Sequence, residues 1–150
     1  MAIIRQDYAE ISGGFSVLDY DSIKNLVKSQ ATHNEVVAQS GRTTINDGGA
    51  YIDTENHIVY FYCDFDIATN GSTPSGYDRL LTISGVTTIL PNTTSGSPND
   101  IVIIDSTTAT NNPKLYFYTY SNQTSIGTTT AYTSGNNFKV HAVWSTKNAS

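Results

Sequence analysis

Charge, cysteine and long apolar runs are all scarce in this sequence of 150 residues. Charged residues make up 14%, the formal net charge is −5, and the eight Lys and Arg are scattered along the chain. Binding to nucleic acid needs clustered cations, so the sequence argues against a nucleic-acid partner. No apolar run reaches 18 residues, which predicts no membrane-spanning helix. The single cysteine, Cys63, excludes an internal disulfide and a zinc site built on cysteines.

Motifs for catalysis and cofactor binding are also missing. The sequence contains no nucleophile elbow, no P-loop and no G-x-G-x-x-G fingerprint. Its three histidines, His33, His57 and His141, show neither metal-ligand spacing nor a carboxylate pattern around them. We therefore expect a protein that is not an enzyme and that holds no metal or other cofactor. The N-terminus lacks the basic and apolar regions of a signal peptide, so we expect synthesis in a cytoplasm without signal-dependent export.

Ser, Thr and Asn are abundant instead, and together they supply 50 residues, a third of the chain. Thr and Tyr favour a pleated surface, whereas Asn and Ser favour turns, so this composition is typical of β-sheets joined by polar loops. Ile, Val and Leu recur in short blocks and aromatics make up 11%, which argues against a disordered chain. The length suits one domain with a core of its own.

The segment 57–68 carries the clearest period-two pattern in the chain. One parity holds Val59, Phe61, Cys63, Phe65 and Ile67, and the other holds Ile58, Tyr60, Tyr62, Asp64 and Asp66. This alternation predicts a strand with one dry face and one face of tyrosines and aspartates. Because Cys63 belongs to the dry parity, we expect a buried and inert thiol.

Short strands separated by turn signals fill the chain from Arg42 onward, which predicts an antiparallel β-sandwich or jelly roll. We predict strands at 42–46, 50–54, 57–68, 77–84, 86–90, 101–105, 114–120, 130–133 and 137–145. A turn is predicted at 46–49, between the first two strands, because this segment reads Asn-Asp-Gly-Gly. The run Ile101–Ile104 is apolar on both parities and predicts a central strand buried on both sides.

A helical pattern occupies Asp19–Lys28, with Asp19 or Asp21 as its N-cap. The pattern continues weakly through Gln30, His33 and Val37. Its apolar stripe is too thin to bury a helix alone, so the helix needs either the β domain or copies of itself as a partner. We expect residues 1–41 to form an N-terminal attachment segment with one helix, and residues 42–150 to form the β-sandwich head domain.

Tyrosines on two predicted strands and polar residues in the loops are the candidate binding residues. The candidates are Tyr60, Tyr62, Tyr116, Tyr118, Tyr120, Asn92, Asn99 and Asp100. If the two strands share a sheet, the tyrosine rings form an outer wall, which is a subunit interface, a glycan or receptor contact, or an ordinary outer face. The loops 70–76, 92–100 and 110–113 are natural contact sites, because binding residues concentrate on loops held by a rigid scaffold.

Two carboxylates also share one strand face. Asp64 and Asp66 lie two residues apart, so their side chains can converge for acid–base chemistry. A solvated strand face explains the same spacing. A polysaccharide hydrolase is therefore an alternative, alongside a carbohydrate-binding module.

The segment 49–65, which begins Gly-Ala-Tyr-Ile-Asp, and the segment 74–83, which contains Pro-Ser-Gly-Tyr, resemble C-terminal head domains of bacteriophage tail fibres and receptor-binding proteins. In those domains the corresponding turn usually reads Gly-Tyr-Arg-Pro, whereas this chain has Gly76-Tyr-Asp-Arg79. The resemblance implies a homotrimeric β-sandwich in the virion that binds a host-surface saccharide. It also implies that the N-terminal segment joins other virion proteins. A structural head-fibre or capsid-decoration protein is the alternative within the virion.

Overall fold

The computed structural model describes residues 19–69, 78–84, 102–110, 113–120, 123–128 and 132–145. These residues form two four-stranded antiparallel sheets and one helix, which confirms the predicted all-β sandwich with a short helical segment. The helix is α1 (Tyr20–Ser29). The strands are β1 (Val36–Ala38), β2 (Thr43–Asp53), β3 (Ile58–Ile67), β4 (Asp78–Ile83), β5 (Ile103–Thr107), β6 (Tyr116–Tyr120), β7 (Gln123–Thr128) and β8 (Asn137–Ser145).

Strands distant in sequence lie side by side in both sheets. The first sheet has the order β2-β3-β8-β5, and the second has the order β1-β4-β7-β6. Residues 34–43 connect the two sheets at one corner. Asn34 bridges to Ala50 of β2, and three residues later Val37 pairs with Thr82 of β4. The Thr43 hydroxyl then donates to the Leu80 carbonyl at 2.7 Å, which links β2 to β4.

The main core lies between the sheets and is rich in aromatic rings. Phe117 of the second sheet contacts two rings of the first, with centroid distances of 5.2 Å to Phe61 and 4.8 Å to Trp144. Phe65 and Phe138 stack at 5.3 Å within the first sheet. Cys63 has no exposed surface, and burial raises the pKa of its thiol, which confirms the predicted buried thiol. The dry parity of the segment 57–68 therefore supplies core residues, as its alternation predicts.

Helix α1 begins where the sequence predicts, because the Asp19 carboxylate accepts a hydrogen bond from the Ser22 amide at 2.9 Å. Its buried residues are Tyr20, Ile23 and Val27. They pack on Tyr60 and Tyr62 of β3, and these five residues form a second hydrophobic cluster, separate from the main core. Of the two partners expected for the helix, the structure shows the β domain.

The predicted weak continuation of the helix is wrong. Gln30 is already extended at the C-terminal cap, and Val37 belongs to strand β1. Val37 pairs with Thr82 and Val36 packs into the main core, so these tertiary contacts override a faint helical spacing. The strands β1 and β7 have no counterpart among the predicted strands.

Two further strand predictions need correction. The predicted turn at 46–49 lies inside β2, which runs unbroken through a register shift between Ile45 and Asp47. Of the predicted central strand 101–104, the described residues 102–104 are not buried on both sides, because β5 lies at the edge of the first sheet among the described strands and Ile103 is 54% exposed. The predicted strand 86–90 lies outside the described residues, as do residues 130 and 131 of the predicted strand 130–133.

The hairpin between β2 and β3 closes in a four-residue turn, 54–57. The Asp53 carboxylate accepts hydrogen bonds from the Glu55 and Asn56 amides at 3.1 and 3.0 Å, which fixes the start of the turn. His57 ends the turn with φ of 59°, a left-handed conformation that Gly or Asn adopts more readily. The segment 49–65 therefore lies within one continuous hairpin.

Candidate functional site: the outer face of the first sheet

The outer face of the first sheet carries the Tyr/Asp parity of β3, and helix α1 covers its tyrosine half. Tyr60 and Tyr62 are each 1% exposed beneath the helix. The Tyr20 ring meets the Tyr62 ring edge-on at 5.7 Å, and Tyr51 stacks on Tyr60 at 6.4 Å. In this fold the chain's own helix occupies the surface of Tyr60 and Tyr62, so neither ring is open to a ligand or a subunit while the helix is packed, and a binding role for the pair stays a prediction.

The proposed two-strand tyrosine wall does not form. Tyr60 and Tyr62 lie on β3 of the first sheet, whereas Tyr116, Tyr118 and Tyr120 lie on β6, at an edge of the second sheet. Tyr116 is half-buried, and the register sets Tyr118 opposite Ser125 and Tyr120 opposite Gln123. Asn92, Asn99 and Asp100 lie outside the described residues. A role for the β6 tyrosines and for these three loop residues stays a prediction.

Asp47 makes three polar contacts on this face, and two of them hold helix α1. Its Oδ2 atom lies 3.1 Å from Lys24 Nζ and 3.2 Å from Lys28 Nζ, and its Oδ1 atom accepts a hydrogen bond from the Tyr62 hydroxyl at 3.0 Å. Burial raises the pKa of Asp47, but the hydrogen bonds from Lys24, Tyr62 and Lys28 outweigh burial and lower it overall. Burial and the bond to Asp47 raise the pKa of Tyr62. The carboxylate therefore stays ionised and paired in the folded chain.

Asp64 and Asp66 converge on one amide rather than on an open site. Asn137 Nδ2 lies 2.7 Å from Asp64 Oδ1 and 2.8 Å from Asp66 Oδ1, and Asn46 donates to Asp64 Oδ1 at 3.2 Å. Both aspartates are half-buried. The predicted convergence of the two carboxylates is confirmed in geometry, whereas the choice between a catalytic role and a solvated face stays open. The donors are amides, and Lys139 of β8 lies opposite Asp64 in the register.

His141 and Asp105 form a close polar pair that sequence patterns did not reveal. His141 Nδ1 lies 2.7 Å from Asp105 Oδ2, and the His141 side chain is 9% exposed. The two residues are 36 positions apart, so no local motif marks them. A register shift between Ile104 and Ser106 places Asp105 in a β-bulge of β5, and such bulges redirect a side chain. A carboxylate on Nδ1 orients an imidazole, as in sites that exchange a proton.

We expect Asp105→Ala to destabilise the chain by about 1–2 kcal/mol, because it leaves the Nδ1 atom of His141 without its partner in a buried position. Chemical denaturation followed by far-UV circular dichroism measures the change. Ser106→Ala is the matched control, because Ser106 is an exposed neighbour on the same strand, and we expect a change within about 0.5 kcal/mol. Equal stability of the two variants would contradict a structural role for the pair.

No cluster of three or more His, Cys, Asp or Glu in the described ranges is arranged to hold a metal ion. In the same part of the chain, no helix is long and apolar enough to cross a membrane. Comparison with protein-family models, with curated proteins and with solved structures gives no match. The function is therefore argued from the residues and their geometry.

Proposed function

We propose that this chain is a non-enzymatic bacteriophage virion protein that binds a host-surface saccharide at the tail or baseplate, as a homotrimer. The observation that carries the proposal is the separation of the two tyrosine strands. The tyrosines of β3 complete a cluster under helix α1, whereas β6 lies at the edge of the other sheet, away from the helix. Aromatic residues at such a position supply stacking surface for sugar rings or for a neighbouring subunit.

The hairpin of β2 and β3 gives a second line of support. It contains the segment 49–65, which resembles tail-fibre heads, and its strands pair along their whole length apart from one register shift. A rigid sandwich of this kind can present the loops at its ends, and trimer avidity multiplies a weak contact at each copy. The high content of Ser, Thr and Asn suits hydrogen bonding to hydroxyl groups.

We expect Tyr118→Ala to lower adsorption of the protein to host cells by about tenfold without unfolding the sandwich, since loss of one aromatic contact worth about 1.4 kcal/mol changes an affinity tenfold. Adsorption of labelled protein to host cells and thermal unfolding are measured in parallel. Tyr62→Phe is the matched control, because the ring stays in its cluster under the helix and only the hydroxyl bonded to Asp47 is lost.

The same assay separates the alternatives within the virion. A receptor-binding protein labels host cells, whereas a head-fibre or capsid-decoration protein labels purified capsids and leaves cells unlabelled. Unchanged adsorption for both Tyr118→Ala and variants in the loop 92–100 would remove the receptor role. Native mass spectrometry tests the homotrimer independently of the ligand.

A further inference from the structure

Helix α1 has the features of a separate unit on the surface of the sandwich. Its apolar residues pack with Tyr60 and Tyr62 in a cluster that shares no buried member with the main core. The residues that follow the helix, 31–33, are exposed, and Asn34 begins the pairing with β2. An isolated helix of ten residues is unstable in water, so α1 stays folded only while it packs on the sheet.

The polar contacts that hold the helix meet at one carboxylate, that of Asp47. Lys24 and Lys28 both reach Asp47 Oδ2, and the hydroxyl of Tyr62 reaches Oδ1. Asp47 lies directly opposite Asp64 in the register of β2 and β3, so two negative charges are neighbours on this face. Like charges opposite each other destabilise a sheet, and the two lysines of the helix offset this repulsion.

Ionisable groups of three elements lie near Asp47. Those of helix α1 are Lys24, Lys28 and the Tyr20 hydroxyl, and those of β3 are Tyr62, Asp64 and the Cys63 thiol. Strand β8 adds Lys139, which pairs with Asp64 and lies 5.7 Å from the centre of the Tyr20 ring, and His141, which pairs with Tyr62. The tyrosine hydroxyls and the thiol remain protonated near neutral pH, because burial raises the pKa of each. The charge balance around Asp47 therefore depends on three lysines, Lys24, Lys28 and Lys139, and on the carboxylates of Asp47 and Asp64.

We propose that helix α1 is a releasable cover over the tyrosine pair Tyr60 and Tyr62, latched by the carboxylate of Asp47. Loss of this carboxylate raises the population of a state in which the helix is released while the two sheets stay folded. In that state the rings of Tyr60 and Tyr62 are uncovered beside the carboxylates of Asp47 and Asp64. This inference is independent of the proposed saccharide binding.

The direction of the pH dependence follows from the lowered pKa of Asp47. A carboxylate with a lowered folded-state pKa contributes stability above its ordinary value of 3.8, and this stability is lost as the pH falls through the lowered value. The latch is therefore closed at neutral pH and opens in acid, below the ordinary range of an aspartate.

Hydrogen exchange measured by mass spectrometry at neutral pH tests the latch. We expect Asp47→Asn to speed exchange in peptides from residues 20–29 by about fivefold, because it weakens two part-exposed ion pairs and the hydrogen bond from Tyr62, and to leave β4 and β7 unchanged. Asp64→Asn is the matched control, since Asp64 occupies the opposite register position but contacts Asn46 and Asn137 instead of a lysine.

A charge-reversed variant keeps the test decisive. Asp47→Lys with Lys24→Glu and Lys28→Glu restores the attraction with opposite signs, so we expect helix protection to recover relative to Asp47→Lys alone. Three outcomes would overturn the proposal: equal exchange in Asp47→Asn and wild type, faster exchange throughout the sandwich together with the helix, and no recovery on charge reversal.

Discussion

Phe117→Ala is expected to lower the free energy of unfolding by about 3–5 kcal/mol. Phe117 has no exposed surface and joins the two sheets, because its ring contacts Phe61 and Trp144 across the core. Truncation removes the apolar burial and leaves a cavity that rigid strands on both sides cannot fill. Since a domain of this size has a stability of about 5–15 kcal/mol, this one substitution removes a large part of it.

Denaturant unfolding of Phe117→Ala and of wild type measures this loss through the shift of the midpoint. Val37→Ala is the control, because Val37 is 47% exposed on the short edge strand β1 of the same sheet, and we expect a change within about 0.5 kcal/mol. A loss for Phe117→Ala no greater than that for Val37→Ala would contradict the placement of this ring between the sheets.

Gly48→Val is expected to cost about 3 kcal/mol, at the upper end of the range for overpacking. A Cβ atom at Gly48 would lie 3.0 Å from Cys63 Sγ and 3.2 Å from Val36 Cγ2, and the branched side chain of valine adds two more carbons there. Val36 crosses to the second sheet at this point, so the backbone of β2 and the chain at 34–38 approach closely. A side chain at 48 pushes the two apart.

Combination with Cys63→Ala tests whether the cost arises from this clash. The smaller alanine gives the valine space, so we expect the double variant to be more stable than the sum of the two single effects predicts, by at least about 0.5 kcal/mol. Thermal unfolding of the four proteins gives the coupling. If the effects of the two substitutions on stability are strictly additive, the stability lost in Gly48→Val has another cause, such as a change in the backbone of β2.

The strands with a strict alternation are the ones that the sequence predicts well. The segments 57–68, 114–120 and 137–145 become β3, β6 and β8 with their apolar parities buried. Alternation reports which residues share a face, and one buried face per strand is enough to make the signal clear. The helix predicted at 19–28 corresponds to α1 (Tyr20–Ser29), because apolar residues at helical spacing mark one face, and of the two predicted caps the structure shows Asp19.

The failures come from segments where local signals are ambiguous. Asn46-Asp-Gly-Gly49 has the composition of a turn, yet these glycines serve close packing, because Gly48 and Gly49 each leave room for neighbouring side chains. The apolar run 101–104 has the composition of a central strand, but its position at a sheet edge depends on which strands pair with β8. Composition alone does not distinguish these cases.

The polar contacts of the outer face were beyond sequence patterns because they join distant positions. His141 and Asp105 meet across β8 and β5, and Asn137 reaches Asp64 and Asp66 across β8 and β3. The contact of Lys24 and Lys28 with Asp47 becomes visible only when the helix is placed over β2. Two lysines one turn apart are common on helices, so this spacing does not identify the residue that they contact.

The sequence by itself determined the all-β class, the buried thiol of Cys63, the start of helix α1 and the two parities of β3, because each follows from local alternation or capping. Only the tertiary structure decided what covers each face. It separated the tyrosines of β3 and β6 into different sheets and placed helix α1 over Tyr60 and Tyr62. The physical reason is that alternation determines on which face of its strand a residue lies, whereas long-range packing determines which element covers that face.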